Sequence, residues 1–420
     1  MPSDPVMERL QSALGIVVFC FIAWLFCEER TRIPWRAVLM GVALQCVIAA
    51  ILLRMPFGQE LFLLLNRGVL AIQQATEAGA GFVFGYLAGG PQPFALSRPG
   101  ADFIFALRAL PLVLVMSALS SLLFFWRILP RLVNGFSFLL ERTFGIGGAL
   151  GLGAAANVFV GMIEAPLLIR PYLRAMGRHE LFAVMVCGMA TIAGTVLVLY
   201  ATILEPVLPG AIGHLLTASI ISAPAALAVS MLMVPGDART QGALEPRSQS
   251  MSAIDAVVKG TVDGVGLLIH IIAMLIVFVA LVHLTNQFLG FLPHIGGSAI
   301  TLQRVLGLVM APVAWCMGIP WAESLTAGSL LGVKTIMNET LAYLDLARLP
   351  ASEMGPRSRL IMTYALCGFA NFGSLGIMIG GMGSMAPERK EEIVSLGLKS
   401  IIAGTLATCM TGSVVGLFTG

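Results

Sequence analysis

Glu164 and Glu339 are carboxylates set in otherwise apolar surroundings. Glu164 lies in Val160-Gly-Met-Ile-Glu-Ala-Pro-Leu-Leu-Ile169, and Glu339 in Gly332-Val-Lys-Thr-Ile-Met-Asn-Glu-Thr-Leu-Ala-Tyr343. A charged side chain at the centre of a bilayer costs at least ~2.5 kcal/mol, so such residues usually line cavities and carry function. Gly or Pro stands near each, and these helix breakers free backbone groups that can hold a ligand. Asn371 and Ser374 interrupt a second apolar stretch, Gly368-Phe-Ala-Asn-Phe-Gly-Ser374. Asn157, seven residues before Glu164, and Thr191 in Ala190-Thr-Ile-Ala-Gly194 add neutral oxygens beside small residues. Carboxylates and amides facing a cavity suit a polyhydroxylated ligand, whereas neutral oxygens with freed carbonyls suit a hard monovalent cation. Plainer roles compete. Either Glu could cap a helix or pair with Lys334, and Asn, Ser or Thr in a span often bridges helices for only ~1 kcal/mol. Thr191 could bond its own helix carbonyls.

The elements that must position these groups lie in a membrane. Hydrophobic residues make up 58% of the chain and charged residues 11%, with mean hydropathy +0.92, far from soluble norms. The net charge of +3 is scattered arginine, which gives no basic stripe for nucleic acid. The seven cysteines (20, 27, 46, 187, 316, 367, 409) form no CxxC pair and sit mostly in apolar runs, so they read as reduced core residues. The histidines (179, 214, 270, 283, 294) show no ligand spacing and read as interfacial or packed. The first apolar run ends at Glu28-Glu-Arg without a small-residue exit site, so it reads as a retained span.

Runs near the roughly 20 residues that cross a bilayer place spans at 14–26, 38–53, 103–125, 181–200, 215–234, 265–288, 360–383 and 393–416. Two broken segments, 147–173 around Glu164 and 305–343 around Glu339, read as re-entrant hairpins, buried in protein. The mixed stretch 60–84 reads as an interfacial or tilted helix, with Leu61, Leu64, Leu65 and Gly68 on one face. A polar linker follows at 235–251.

Arg30, Arg32 and Arg36 place the first loop in the cytoplasm and the N-terminus in the periplasm. Counting on puts Arg127, Arg131, Arg142, Arg170, Arg174, Arg178, Arg239, Arg247 and Lys259 inside; Arg348, Arg357 and Arg359 fall outside, against the bias. Three spans separate the hairpins, so they enter from opposite faces, each followed by two spans. That inverted repeat is a plan of secondary transporters. The fold expected is therefore an all-α polytopic membrane protein of about eight transmembrane helices plus two re-entrant hairpins. Its divisions are 1–125 (N-terminal scaffold spans), 126–234 (interfacial helix, first hairpin, two spans), 235–292 (linker and scaffold span) and 293–420 (second hairpin, two spans).

From about residue 110 onward the chain resembles the concentrative nucleoside transporters. The resemblance runs through Leu110-Pro111, Ser117-Ala-Leu119, Glu164-Ala-Pro-Leu-Leu-Ile-Arg-Pro-Tyr-Leu173, Glu180-Leu-Phe-Ala-Val-Met185 and Ala190-Thr-Ile-Ala-Gly194. It continues through His214-Leu-Leu-Thr-Ala-Ser219, Ser222-Ala-Pro-Ala-Ala-Leu227, Gly318-Ile-Pro-Trp321, Gly332-Val-Lys-Thr-Ile-Met-Asn-Glu339 and Gly368-Phe-Ala-Asn-Phe372. So many blocks in one order make the resemblance specific. It implies a homotrimer in which a hairpin-bearing domain moves like an elevator against a scaffold. It implies that Glu339, Asn371 and Ser374 grip ribose hydroxyls, with Asn338 beside them, while Glu164 helps hold the base and Phe369 is an aromatic near the substrate. It also implies a sodium ion on Asn157 and Thr191 and on the carbonyls of Val160 and Ile192.

Four positions depart from the family pattern. Met162 and Ile163 stand where Gln-Thr would contact the base, Leu150 where an acid is usual, and Thr340 where Phe follows Asn-Glu. The ribose grip is complete and the base grip is altered. The expected activity is cation-coupled nucleoside import across a bacterial inner membrane, with sodium favoured over a proton carried on Glu164 or Glu339. A polytopic enzyme using the two glutamates as acid and base, and a channel or receptor without coupling, are the competing classes.

Overall fold

The computed structural model describes residues 5–54, 56–94, 103–237, 239–241, 250–293 and 299–419, with the backbone alone at 5 and 56–66. His294 and Arg247, and the side chains of Leu61, Leu64 and Leu65, lie outside the described residues. The described secondary structure is helical: α1 (Pro5–Leu25), α2 (Trp35–Arg54), α3 (Pro56–Phe84), α4 (Phe105–Arg108), α5 (Pro111–Phe125) and α6 (Ile128–Phe144). There follow α7 (Gly148–Asn157), α8 (Glu164–Leu168), α9 (Arg178–Ala190), α10 (Gly194–Leu204), α11 (Ala211–Met233) and α12 (Ala253–Leu289). The chain ends with α13 (Leu302–Cys316), α14 (Trp321–Ile336), α15 (Glu339–Arg348), α16 (Pro356–Leu366), α17 (Phe372–Met385) and α18 (Lys390–Phe418).

Among the described residues, seven stretches are long and apolar enough to cross a membrane: Val6–Leu25, Trp35–Arg54, Phe105–Phe125, Arg178–Leu204, Ala211–Met233, Ala253–Leu289 and Pro387–Phe418. They coincide with seven of the eight expected spans. The eighth, at 360–383, is two helices, α16 and α17, and the span expected at 181–200 is likewise divided into α9 and α10. Thr191 ends α9 in extended backbone (φ −118°, ψ 170°), and Asn371 starts α17 by accepting from Ser374 N at 2.7 Å. These polar residues close one helix and open the next, as Asn and Thr favour at helix ends over helix interiors. The stretch expected to lie at the interface is one helix, α3, of 29 residues, about 43 Å at 1.5 Å per residue, and it packs on α2, α5 and α11.

The order of elements occurs twice. A lone helix (α6, α13) precedes a helix–break–helix unit (α7/α8, α14/α15), then a broken helix (α9/α10, α16/α17), then a long buried helix (α11, α18). Glu164 and Glu339 open the second arm of their respective units. The hairpin expected at 305–343 is thus corrected. Its range joins two features, a 117° bend between α13 and α14 and the break carrying Glu339 between α14 and α15. Gly318, in left-handed backbone at φ 95°, ends α13, and Pro320 caps α14. Pro312 sits inside α13 without ending it. The arms α13 and α14 touch backbone to backbone: a Cβ on Gly328 would lie 2.6 Å from the Gly307 carbonyl oxygen.

Helices α9, α11 and α18 are buried almost throughout and form the core. Helices α1 and α2 pack on α18 and α11. At the end of α1, Arg178 and Lys399 converge on Glu28, and the Arg178 hydrogen bond holds the Glu28 carboxyl below its ordinary range. Arg357 and Arg359 are not loop charges at all. Arg357 donates to the carbonyls of Gly318 and Gly416, and Arg359 to those of Met354, Leu346, Leu349 and Pro350. They satisfy helix-end carbonyls inside the fold, which removes them from the loop-charge bias they appeared to contradict.

Helix α12 stands apart. Over 37 residues it buries only Ala256, Gly260 and Gly264, a small-residue stripe that lets it press on α5. A Cβ on Gly260 would lie 2.7 Å from Ser117 O and 2.9 Å from Ala118 Cα, whereas one on Gly266 meets nothing within 4 Å. Gly260→Leu is expected to destabilise the detergent-purified protein by ~1–3 kcal/mol through overpacking, seen as a lowered Tm, with Gly266→Leu near the parental value. Equal melting of the two variants would contradict this packing.

Candidate functional site

A cavity opens where the broken units meet. Its wall holds Gly161–Glu164 from the first break, Asn338–Thr340 from the second, and Phe369, Asn371 and Ser374 from the third, with Thr195 and Tyr200 of α10. Helices α8, α10, α15 and α17 all start at this cavity. Leu267, His270, Ile271, Met274 and Phe278 of α12 close the remaining side.

The polar centre is built around Glu339, 4% exposed. Tyr200 donates its hydroxyl to Glu339 Oε1 at 2.6 Å, and Asn371 donates Nδ2 to Oε2 at 3.0 Å. The amide oxygens of Asn338 and Asn371 cap their helices, accepting from Leu341 N and Ser374 N. A carboxylate offers about four acceptor sites. Two are occupied here, leaving one on each oxygen for a pair of hydroxyl donors. Lys334 does not pair with Glu339 through a salt bridge; it is fully buried and donates to Ala365 O and Thr408 Oγ1, both at 2.9 Å. The direct salt bridge weighed for Glu339 is therefore not formed, although the charge of Lys334 acts on Glu339 at longer range.

Glu164 is open to the cavity. Its carboxylate folds over Gly161, where a Cβ would meet Oε2, so a larger residue there would displace the carboxylate. Met162 is buried against Gly188, whose Cβ would sit 3.0 Å from it, and Ile163 packs on Gly381. Both reach the cavity wall but offer it no hydrogen bond. Phe369 lines the same cavity, half-buried.

The residues expected to hold a cation lie apart from this polar centre, around the ends of α7 and α9. Thr191 Oγ1 lies 2.8 Å from both Asn157 O and Cys187 O, so one hydroxyl hydrogen is shared and lone pairs remain. Asn157 donates Nδ2 to Gly153 O at 2.9 Å, while its buried Oδ1 has no partner among the described residues. An unsatisfied buried acceptor costs about 1–3 kcal/mol, and a cation would remove that cost. The Val160 and Ile192 carbonyls lie in the two breaks and accept none of the backbone bonds there; Phe159 O takes Gly194 N at 3.1 Å. These oxygens are of the neutral type that suits a hard cation. Leu150 lies in the apolar core, without a side-chain oxygen to add.

Sequence reasoning missed three contributors. Tyr200 was read as a span residue, although a Tyr in an apolar run usually needs a partner when buried. Thr340 was noted only as a departure, yet its hydroxyl lies 3.0 Å from Tyr200 Oη. His270 was read as packed or interfacial and instead faces the cavity. Among the described residues, no group of three or more His, Cys, Asp or Glu side chains could hold a metal, and all seven cysteines are free.

Comparison with known proteins gives one consistent picture. Family descriptions of the Na+ dependent nucleoside transporter match residues 14–87 (N-terminus) and 214–416 (C-terminus), and a nucleoside recognition "Gate" description matches 106–207. The chain is 35% identical to the nucleoside permease NupC of Helicobacter pylori over 99% of both chains. It is 34% identical to human solute carrier family 28 member 3, covering 98% of this chain and 60% of that protein. The structure of CNTnw in an inward-facing substrate-bound state superposes with a TM-score of 0.90 at 35% identity, covering 98% of this chain and 99% of that one. A substituted CNTnw in an outward-facing state matches with a TM-score of 0.90 at 34% identity, covering 99% and 98%.

Proposed function

We propose, from the premise that this chain belongs to the Na+ dependent, concentrative nucleoside transporter family, that it is a sodium-coupled symporter importing nucleosides across a bacterial inner membrane. The chain is a multi-pass nucleoside transporter and not an enzyme, as the nucleoside permease NupC matches it over its full length and the nucleoside transporter family descriptions cover most of it. The observation that carries sodium coupling is the buried, unpartnered Asn157 Oδ1 beside Thr191 Oγ1 and two unused carbonyls. In this reading Asn157, Val160, Thr191 and Ile192 hold the ion. Glu339, Asn371 and Ser374 hold the ribose, with Asn338 capping the helix that carries Glu339. Glu164, Met162, Ile163 and Phe369 surround the base.

Coupling follows from shared backbone. Val160 immediately precedes Gly161 and Met162 of the cavity wall, so an ion bound to the Val160 carbonyl fixes the break that carries Glu164. Ion and nucleoside then raise each other's affinity by the same factor. Alternating access by an elevator movement is consistent with inward- and outward-facing forms of the similar CNTnw. We assign α5 and α12 to the stationary scaffold. Helices α1 and α2 pack on α18 and α11, so we assign them to the moving body, although the whole of 1–125 was expected to be scaffold. The exposed apolar face of α12, including Ile269, Ile276 and Phe288, is where protomers of a homotrimer and lipid would meet. In this reading the arginines at 30, 32 and 36 face the cytoplasm and the N-terminus faces the periplasm.

The test is uptake of radiolabelled nucleoside into proteoliposomes. An imposed sodium gradient at constant pH is expected to drive accumulation, and replacement of sodium by choline to abolish it. Uptake that survives in choline but collapses with a protonophore would transfer coupling to protons on Glu164 or Glu339. Downhill flux without accumulation would mark an uncoupled channel.

A further inference from the structure

The polar groups of the cavity are unevenly distributed. Around Glu339 they are dense: Tyr200, Thr340, Asn371 and Ser374. Around Glu164 they are sparse, because Met162 and Ile163 present only apolar surface. A nucleobase carries donors and acceptors on its edge, and leaving them unpaired in a closed site lowers affinity. Some other group must meet them, or bases are bound without being read.

Helix α12 supplies the candidate. Its face toward the cavity comprises Leu267, His270, Ile271, Met274 and Phe278, spaced at three, one, three and four residues as one helical stripe requires. His270 is the one polar side chain in it. The position of His270 along the cavity is fixed by its neighbours. Met274 Cε and Phe278 Cε2 would lie 3.1 and 3.2 Å from a Cβ on Gly373, so this end of the stripe covers the start of α17, beside Asn371. At the other end, Asp263 is within electrostatic reach of Glu164. His270 lies one turn, about 6 Å, from Met274 and two turns, about 10 Å, from Asp263. It therefore faces the stretch between the ribose group and Glu164. A base joined to a ribose held at Glu339 would occupy that stretch.

We propose that His270 is a specificity-determining residue that hydrogen-bonds the edge of the nucleobase from the scaffold side, in place of side chains at 162 and 163. Neutral imidazole has one donor and one acceptor nitrogen, and its two tautomers exchange them. It can therefore meet either an amino or an oxo edge, which gives acceptance of both with modest discrimination. This rests on the nucleoside reading of the site.

The experiment compares His270→Leu and His270→Asn with the parent protein in equilibrium binding of uridine, cytidine, adenosine and a C-riboside bearing an unsubstituted phenyl ring. Parental binding of uridine is the control: its absence would overturn the nucleoside reading itself rather than the role of His270. His270→Leu is expected to weaken the three nucleosides about five- to tenfold, the size of one net hydrogen bond, and to leave the phenyl riboside unchanged. His270→Asn keeps a donor and an acceptor and is expected to restore part of the nucleoside affinity. Equal losses for nucleosides and phenyl riboside would reduce His270 to packing. Unchanged binding of all four ligands by His270→Leu would overturn the proposal outright.

Discussion

Glu339→Gln is expected to lower nucleoside affinity by at least ~100-fold while leaving the protein folded. The substitution keeps shape and volume but converts one acceptor oxygen into an NH2 donor. Tyr200 and Asn371 both donate to Glu339, so one of them would face a donor instead. The remaining amide oxygen cannot also accept from two ribose hydroxyls. Hydrogen bonds to a charged group contribute about 1.5–3 kcal/mol each, so losing two corresponds to a factor of roughly 100 or more. Calorimetric titration with uridine measures it directly. The 2′,3′-dideoxy analogue supplies the internal check, because it lacks the hydroxyls and should bind the two proteins with similar, weak affinity. Parental affinity for uridine in the variant would remove Glu339 from the ribose site.

Asn157→Leu is expected to separate the ion from the substrate. In the parent, sodium should raise nucleoside affinity by about 10- to 100-fold, a coupling of ~1–3 kcal/mol. In the variant that dependence should vanish, with affinity fixed near the parental value in choline. Stability gives a second signature. The substitution deletes the bond to Gly153 O but also the unpartnered Oδ1, effects of similar size and opposite sign. Melting in choline should therefore change little, while the sodium-induced rise in Tm disappears. Persistent sodium-dependent binding in Asn157→Leu would place the coupling ion elsewhere.

The sequence disclosed the cavity's parts unequally, and the reasons are physical. Glu164 and Glu339 were legible because charge in an apolar run is conspicuous, and Asn371 and Ser374 because hydrogen-bonding side chains interrupt an apolar stretch. Asn157 and Thr191 were legible as neutral oxygens beside small residues, but only the fold sets Asn157 O 2.8 Å from Thr191 Oγ1 and leaves Oδ1 bare. Hydropathy does not register three extended residues, so α9 and α10 read as one span. The turn at Gly318-Ile-Pro320 carried the same breaker residues as a hairpin tip, which is why α13 was merged into the second hairpin. His270 could not be identified from spacing, because its significance depends on which face of α12 is left after Gly260 and Gly264 meet α5. The resemblance supplied the roles of Val160 and Ile192, which no pattern of side chains encodes.

The four helices that start at the cavity have an electrical consequence. A helix start carries about half a positive elementary charge, and α10, α15 and α17 contain 11, 10 and 14 residues, enough turns to develop it. With the short α8, they set roughly +1.5 to +2 against the −2 of ionised Glu164 and Glu339. The loaded cavity is then close to neutral apart from the ion, and an uncharged nucleoside adds nothing. The membrane voltage would act on the cation and hardly on its passenger. One elementary charge crossing 100 mV releases about 2.3 kcal/mol, so voltage alone could sustain a roughly fiftyfold nucleoside gradient at one ion per cycle.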